Sequence, residues 1–84
     1  MTPPPVLHLP HDLEYQGKWL TQIYRSHREG GNIAYLENSP PGIAFGHKFH
    51  AFKINVVNGV EQLGECLTVT ASVDRAIGVA GQSL

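Results

Sequence analysis

The last seventeen residues, Thr68–Leu84, constrain the architecture more than any other part of the chain. Thr68-Val69-Thr70-Ala71 is rich in β-branched residues and predicts a strand. Ser72 follows where an N-cap belongs, because its hydroxyl oxygen can accept from a free N–H of a first helical turn. Val73, Ala76, Ile77 and Ala80 then recur at helical spacing. Asp74 suits the positive end of the helix dipole, Gly78 weakens the helix and Gly81 ends it. A strand that feeds directly into a short helix with one apolar stripe must lay that stripe on a sheet. The expected fold is α+β: a small antiparallel sheet of three to five strands with one C-terminal α-helix packed on one face.

The rest of the chain supplies the strands. Across Phe49–Val57, Phe52, Ile54 and Val56 share one face, and Phe49, Ala51 and Lys53 the other. Asn58-Gly59 is the residue pair that a type I′ turn needs at positive φ. Val60–Leu63 starts the return strand, Gly64-Glu65 predicts a bulge, and Cys66–Ala71 continues it. Ile33–Glu37 predicts a further strand, bounded by the Gly30-Gly31 loop and the Asn38–Gly42 turn.

Leu13–Arg28 supports two readings. As a helix it would be capped by Asp12, carry a Glu14–Lys18 pair, and stop at Gly30-Gly31. As strands it would bend at Gln16-Gly17 and continue through Lys18–Tyr24, rich in aromatic and β-branched side chains. Gly17 in a helix interior would cost about 1 kcal/mol relative to alanine, and strands are favoured. Trp19, Thr21 and Ile23 then share one face, and Leu20, Gln22 and Tyr24 the other. The expected core is Ile23, Ile33, Tyr35, Phe52, Ile54, Val56, Leu67, Val69, Val73, Ala76, Ile77 and Ala80.

Residues 1–10 form a proline-rich arm with Pro3, Pro4, Pro5 and Pro10, either a loose tail or a segment packing Val6, Leu7 and Leu9 on a sheet edge. Residues 11–84 then form a single α+β domain. Leu84 would fold back as an apolar clip. One short helix covers one sheet face only, so the opposite face or an edge strand is the expected contact surface.

Composition bounds the function. Only 15% of the 84 residues are charged, against roughly a quarter in ordinary soluble domains. A surface so poor in charge suits coverage by another chain, either a second copy (a homo-oligomer) or another protein. The formal net charge of −1 gives no field that would draw nucleic acid or an anionic membrane over the whole surface. Cys66 is the single cysteine, so no intramolecular disulfide is available. No apolar run is long enough for a membrane span, no signal-peptide pattern opens the chain, and cytoplasmic placement is the expectation.

Chemistry-bearing patterns are few. His8-x-x-His11 and His47-x-x-His50 repeat one spacing, and with Cys66 they are the residues a metal site would draw on. In an extended strand residues i and i+3 point to opposite faces, so the spacing does not converge on an ion; no metal or cofactor is expected. Ser26, Ser39, Ser72 and Ser83 fall in loops, a cap and the tail, and a Cys66–His50 pair across neighbouring strands would be the one nucleophile–base combination. No catalytic residue is assigned. Gly42–Lys48 resembles a phosphate loop but lacks the Gly-Lys-Ser/Thr ending. Lys18, Arg25 and Arg28, with Trp19 and Tyr24 interleaved, are the candidate nucleic-acid contacts, although the two aromatics fall on opposite strand faces.

A sheet followed by the capped segment Thr70–Ile77 resembles, in element order, partner-binding antitoxin domains with a β-β-β-α core. Any strand-to-helix junction produces that pattern, and no functional residue is carried over from it. The expected function is a small non-catalytic interaction module that self-associates through a sheet face or edge. The alternatives are a nucleic-acid-binding domain and a histidine metal-binding protein.

Overall fold

The computed structural model describes residues 6–38 and 48–82. The elements are β1 (Asp12–Tyr15), β2 (Lys18–Arg25), β3 (Asn32–Glu37), β4 (Lys48–Val57), β5 (Val60–Thr70) and α1 (Val73–Ala80). The five strands form one antiparallel sheet in chain order, β1-β2-β3-β4-β5, with the helix on one face. The α+β expectation is met at the five-strand end of its range. The two-way reading of Leu13–Arg28 resolves as a β-hairpin. Gln16 and Gly17 both take positive φ, 52° and 80°, as the two central residues of a tight hairpin turn must. Asn58 and Gly59 do the same at 53° and 77° between β4 and β5. Each turn matches the right-handed twist of its strands and pins their register.

The sheet curls into a half-barrel, and a short N-terminal strap helps to close it. Leu7 makes a parallel bridge to Val60 on the outer edge of β5, donating to the Gly59 carbonyl at 2.7 Å and accepting from the Glu61 N–H at 2.9 Å. Pro10 lacks an N–H to continue such pairing, and the chain passes on to β1 at Asp12. Leu7 thus meets the β5 edge through its backbone while its side chain stays exposed, and Leu9 packs against the inner-face cluster. The Asn38–Gly42 turn and the Gly42–Lys48 loop fall largely outside the described residues, and residues 1–5, His47 and Leu84 wholly so.

Both faces of the sheet bury apolar side chains, by different means. On the inner face Leu20, Ile33, Tyr35, Phe52 and Ile54 are buried together, with Leu9, Leu13, Tyr15 and Leu63 packed around them. Phe52 meets Tyr15 and Tyr35 edge-on, at ring-centre distances of 5.1 and 6.2 Å, a geometry that puts ring edges on ring faces. On the other face Ala34 and Ala51 stand opposite each other in register, and Ala76 and Ala80 of α1 lie against them. Four methyl-sized side chains let the helix approach the backbone of the sheet closely. The Ser72 hydroxyl caps α1, accepting from the Arg75 N–H at 3.2 Å.

This arrangement corrects the sequence expectation in several places. The face opposite the helix is not open, because the sheet curls over it. Ile23 is only half-buried, since a register shift between Gln22 and Tyr24 places both Ile23 and Tyr24 against the helix-side cluster. Ile77 is half-buried as well. Val56, Leu67, Val69 and Val73 are exposed rather than core. Val56 lies beyond Asn32–Lys53, the last β3–β4 pair, so no third strand backs it. Leu67 sits at an irregularity of the outermost strand, and Val69 lies close after it on that same strand. Val73 starts the helix just past Phe49–Thr70, the last β4–β5 pair. Their places in the core are taken by Leu20, Ala34 and Ala51.

Candidate interaction surface

Two carboxylates on the inner face organise the polar side chains. Glu61 belongs to β5, where alternation with Leu63 turns it inward, and its side chain is fully buried. It accepts both Arg25 guanidinium bonds, at 2.9 and 2.6 Å, together with the backbone N–H of Gly30 at 2.8 Å and of Leu9 at 3.0 Å. Arg25 also donates from Nε to the His27 carbonyl at 3.2 Å and from Nη2 to the Arg28 carbonyl at 3.3 Å. The Arg25 bonds draw the Glu61 carboxyl down, burial works against them, and the two N–H groups add to the fall, leaving it at about 2. The Arg25 guanidinium is raised in turn by its bonds to Glu61, which outweigh its own burial. This clasp holds β2, the β2–β3 loop, β5 and the N-terminal strap together.

Glu37 anchors the second group near the other end of the face. Its Oε1 lies 3.1 Å from Lys18 Nζ and 3.3 Å from His50 Nε2. The His50 ring lies parallel to Phe52, with centres 6.1 Å apart. Burial pushes the Glu37 carboxyl up, but the bonds from Lys18 and His50 prevail, and the net shift is downward. Between the two groups the buried Tyr35 hydroxyl has no hydrogen-bond partner among the described residues. Burial raises it to about 12.

The residues singled out in the sequence do not meet at one site. Lys18 and Arg25 stand at opposite ends of β2, roughly 23 Å apart at the rise of a strand. Each is paired with a carboxylate, and Arg28 lies in the β2–β3 loop. His50 faces Glu37, while Cys66 is exposed on β5 opposite Phe52, with its sulfur 3.7 Å from the Thr68 carbonyl. His11 lies 3.6 Å from Asp12. His47 is outside the described residues. Among the described residues no group of three His, Cys, Asp or Glu side chains could hold a metal ion. No carboxylate is among the residues that the sequence singles out for a site. The inward position of Glu61, two residues before Leu63, was the available signal for the clasp.

Most of the large hydrophobic side chains that the fold leaves outside fall on one hairpin and the segments attached to it. Eight large hydrophobic side chains are exposed among the described residues: Leu7, Trp19, Val56, Val57, Val60, Leu67, Val69 and Val73. Five belong to the β4–β5 hairpin. Leu7 is bridged to that hairpin and Val73 follows it directly, so Trp19 alone stands elsewhere. A shallow groove lined by Asn32, Leu67, Val79 and Gln82 runs between the helix and this hairpin. The outer backbone edge of β5 is blunted by the strap at Val60 and by two register irregularities further along, devices that discourage strand addition. No helix among the described residues is long and apolar enough to cross a membrane.

Comparison with family models, with curated proteins and with solved structures finds no match for this chain.

Proposed function

We propose that this chain is a small non-catalytic interaction module whose contact surface is the β4–β5 hairpin. One observation carries the reading: among the described residues, seven of the eight exposed large hydrophobic side chains lie on that hairpin or on the segments attached to it. Scattered single hydrophobics are ordinary on a protein surface, whereas seven on one hairpin and its attached segments are more than scatter supplies. The blunted edge of β5 favours contact through side chains over backbone pairing. The pairing of Lys18 and Arg25 with carboxylates favours this reading over nucleic-acid binding, since both cations already have anions.

Retention on a phenyl matrix tests the surface without knowledge of the partner. The wild-type chain is expected to bind at lower ammonium sulfate than Val57→Lys, while Trp19→Ser behaves nearly as wild type. Equal retention of wild type and Val57→Lys removes the hairpin from consideration. Salt separates this from the nucleic-acid alternative, because apolar contact strengthens with kosmotropic salt and phosphate contact weakens steeply.

A further inference from the structure

At the β1–β2 end of the sheet lies a second surface, independent of the β4–β5 hairpin, and we propose that it binds an arginine side chain presented by a partner protein. Its centre is Trp19, 55% exposed and, among the described residues, the one exposed large hydrophobic away from that hairpin and its attached segments. Register places Glu14 of β1 directly across from Trp19 on one side. Asn38, whose N–H donates to the Trp19 carbonyl at 2.9 Å, stands on the other. In the next row Asp12, Thr21 and Leu36 line up the same way. Leu13, Tyr15 and Leu20 take the inner face, so alternation turns Asp12, Glu14, Trp19 and Thr21 to the outer face together. Hydrogen bonds hold the polar tips of this group in place. The Thr21 hydroxyl donates to Asp12 Oδ1 and accepts from Asn38 Nδ2, both at 2.8 Å.

The chemistry of this frame decides the ligand. Cross-strand neighbours have Cβ atoms about 5 Å apart, so the Glu14 carboxylate is within reach of a group resting on the Trp19 ring. Glu14 takes part in no ion pair among the described residues, whereas Asp12 has His11 Nδ1 at 3.6 Å. Lys18, the cation next to Trp19 in the chain, is paired with Glu37 on the inner face. The surroundings of Trp19 are therefore acidic and rich in acceptors. Both Glu14 oxygens, Asp12 Oδ2 and Asn38 Oδ1 have no partner among the described residues, against one remaining Asn38 N–H. A guanidinium matches all of this: it is positive, its plane stacks on an indole, and it donates a fork of N–H bonds to a carboxylate while accepting none. An ammonium lacks the plane and the fork. A sugar ring also stacks on tryptophan, but its oxygens need donors as well as acceptors. Phosphate is repelled by the two carboxylates.

Trp19 is the single tryptophan of the chain, so its emission reports on this site directly. Titration of the full chain with acetyl-Gly-Arg-Gly-amide at fixed ionic strength is expected to give a saturable change in that emission, half-complete at about the millimolar range. Glu14→Gln should weaken binding at least about 3-fold, and the corresponding lysine peptide should bind at least about 3-fold more weakly than the arginine peptide. Raising sodium chloride should weaken the wild-type response, which tests the charge without any variant. The proposal is overturned by the absence of a saturable change up to about 0.1 M peptide. It is overturned equally by arginine and lysine peptides that bind alike, or by binding indifferent to both salt and Glu14→Gln. A stronger response to methyl glucoside than to the arginine peptide overturns it in favour of a sugar.

Discussion

Glu61 and Glu37 lie on the same face of one sheet and differ in almost everything that decides what a carboxylate is worth. Glu61 is sealed from solvent and accepts from Arg25 and from two backbone N–H groups. Glu37 is partly wet, with two side-chain partners, and one of them, Lys18, is more than half exposed. A sealed carboxylate must have its donors or the fold fails. A wet one can exchange protein partners for water at little cost. An ion pair matters less for the charges it contains than for what would be left behind if one of them were removed.

The comparison breaks first at Glu61. Glu61→Ala leaves the Arg25 guanidinium, only 15% exposed, without its anion, and a loss of about 3–5 kcal/mol is expected from urea unfolding. Replacing Arg25 by Met alongside Glu61→Gln should recover much of that loss, because the uncompensated charge is gone. Full loss in the double variant would mean that the geometry of the clasp, not its charge, supports the fold.

Acid gives the next effect. The folded-state carboxyl of Glu61 lies at about 2, below its ordinary 4.5. Its contribution is complete above the ordinary value and is lost as pH falls from there toward 2, a span worth on the order of 3 kcal/mol. Wild-type stability should fall over that window, and Glu61→Gln should show a flatter profile. Glu37 is shifted the same way and adds to the fall. Parallel profiles in wild type and Glu61→Gln would move the acid sensitivity elsewhere.

Tyr35 sharpens the contrast from the opposite side. Its hydroxyl is buried between the two carboxylate groups with no partner among the described residues, and a buried polar group without a bond costs stability. Tyr35→Phe is expected to be neutral or to stabilise by about 1 kcal/mol, read as a raised melting temperature. A loss of more than about 1 kcal/mol would show that the hydroxyl is bonded in solution, for instance to a buried water. The smallest effect belongs to Lys18. Lys18→Ala should cost no more than about 1 kcal/mol, less in high salt, because its pair with Glu37 is open to solvent.

Local chemistry made the elements readable from sequence. Asn58-Gly59 and Gln16-Gly17 turn the chain, Ser72 caps the helix, and the alternation through Phe52 and Ile54 orients β4 correctly. What escaped was closure. Curling of the sheet buries the face opposite the helix, and the bridge from Leu7 to Val60 spans more than fifty residues. No local pattern encodes such a contact. The register shift after Gln22 likewise moves Tyr24 to the other face without a glycine to announce it. Of the candidate site residues, Lys18 and Arg25 did find charged partners, but these were carboxylates of the chain itself.

The clasp also bears on the order of events in folding. Each neighbouring pair of strands joins segments close in sequence, and the two tight turns bring β1 to β2 and β4 to β5 with little loop to close. The Glu61 contacts are of another kind, reaching Gly30, Arg25 and Leu9 across 31, 36 and 52 residues. Contacts that close long loops form late, after local hairpins have reduced the entropy they must overcome. Interactions absent from the transition state act on the rate of leaving the native state rather than on the rate of reaching it. The buried pair would then set how long a folded molecule lasts, while the turns set how quickly a new one forms.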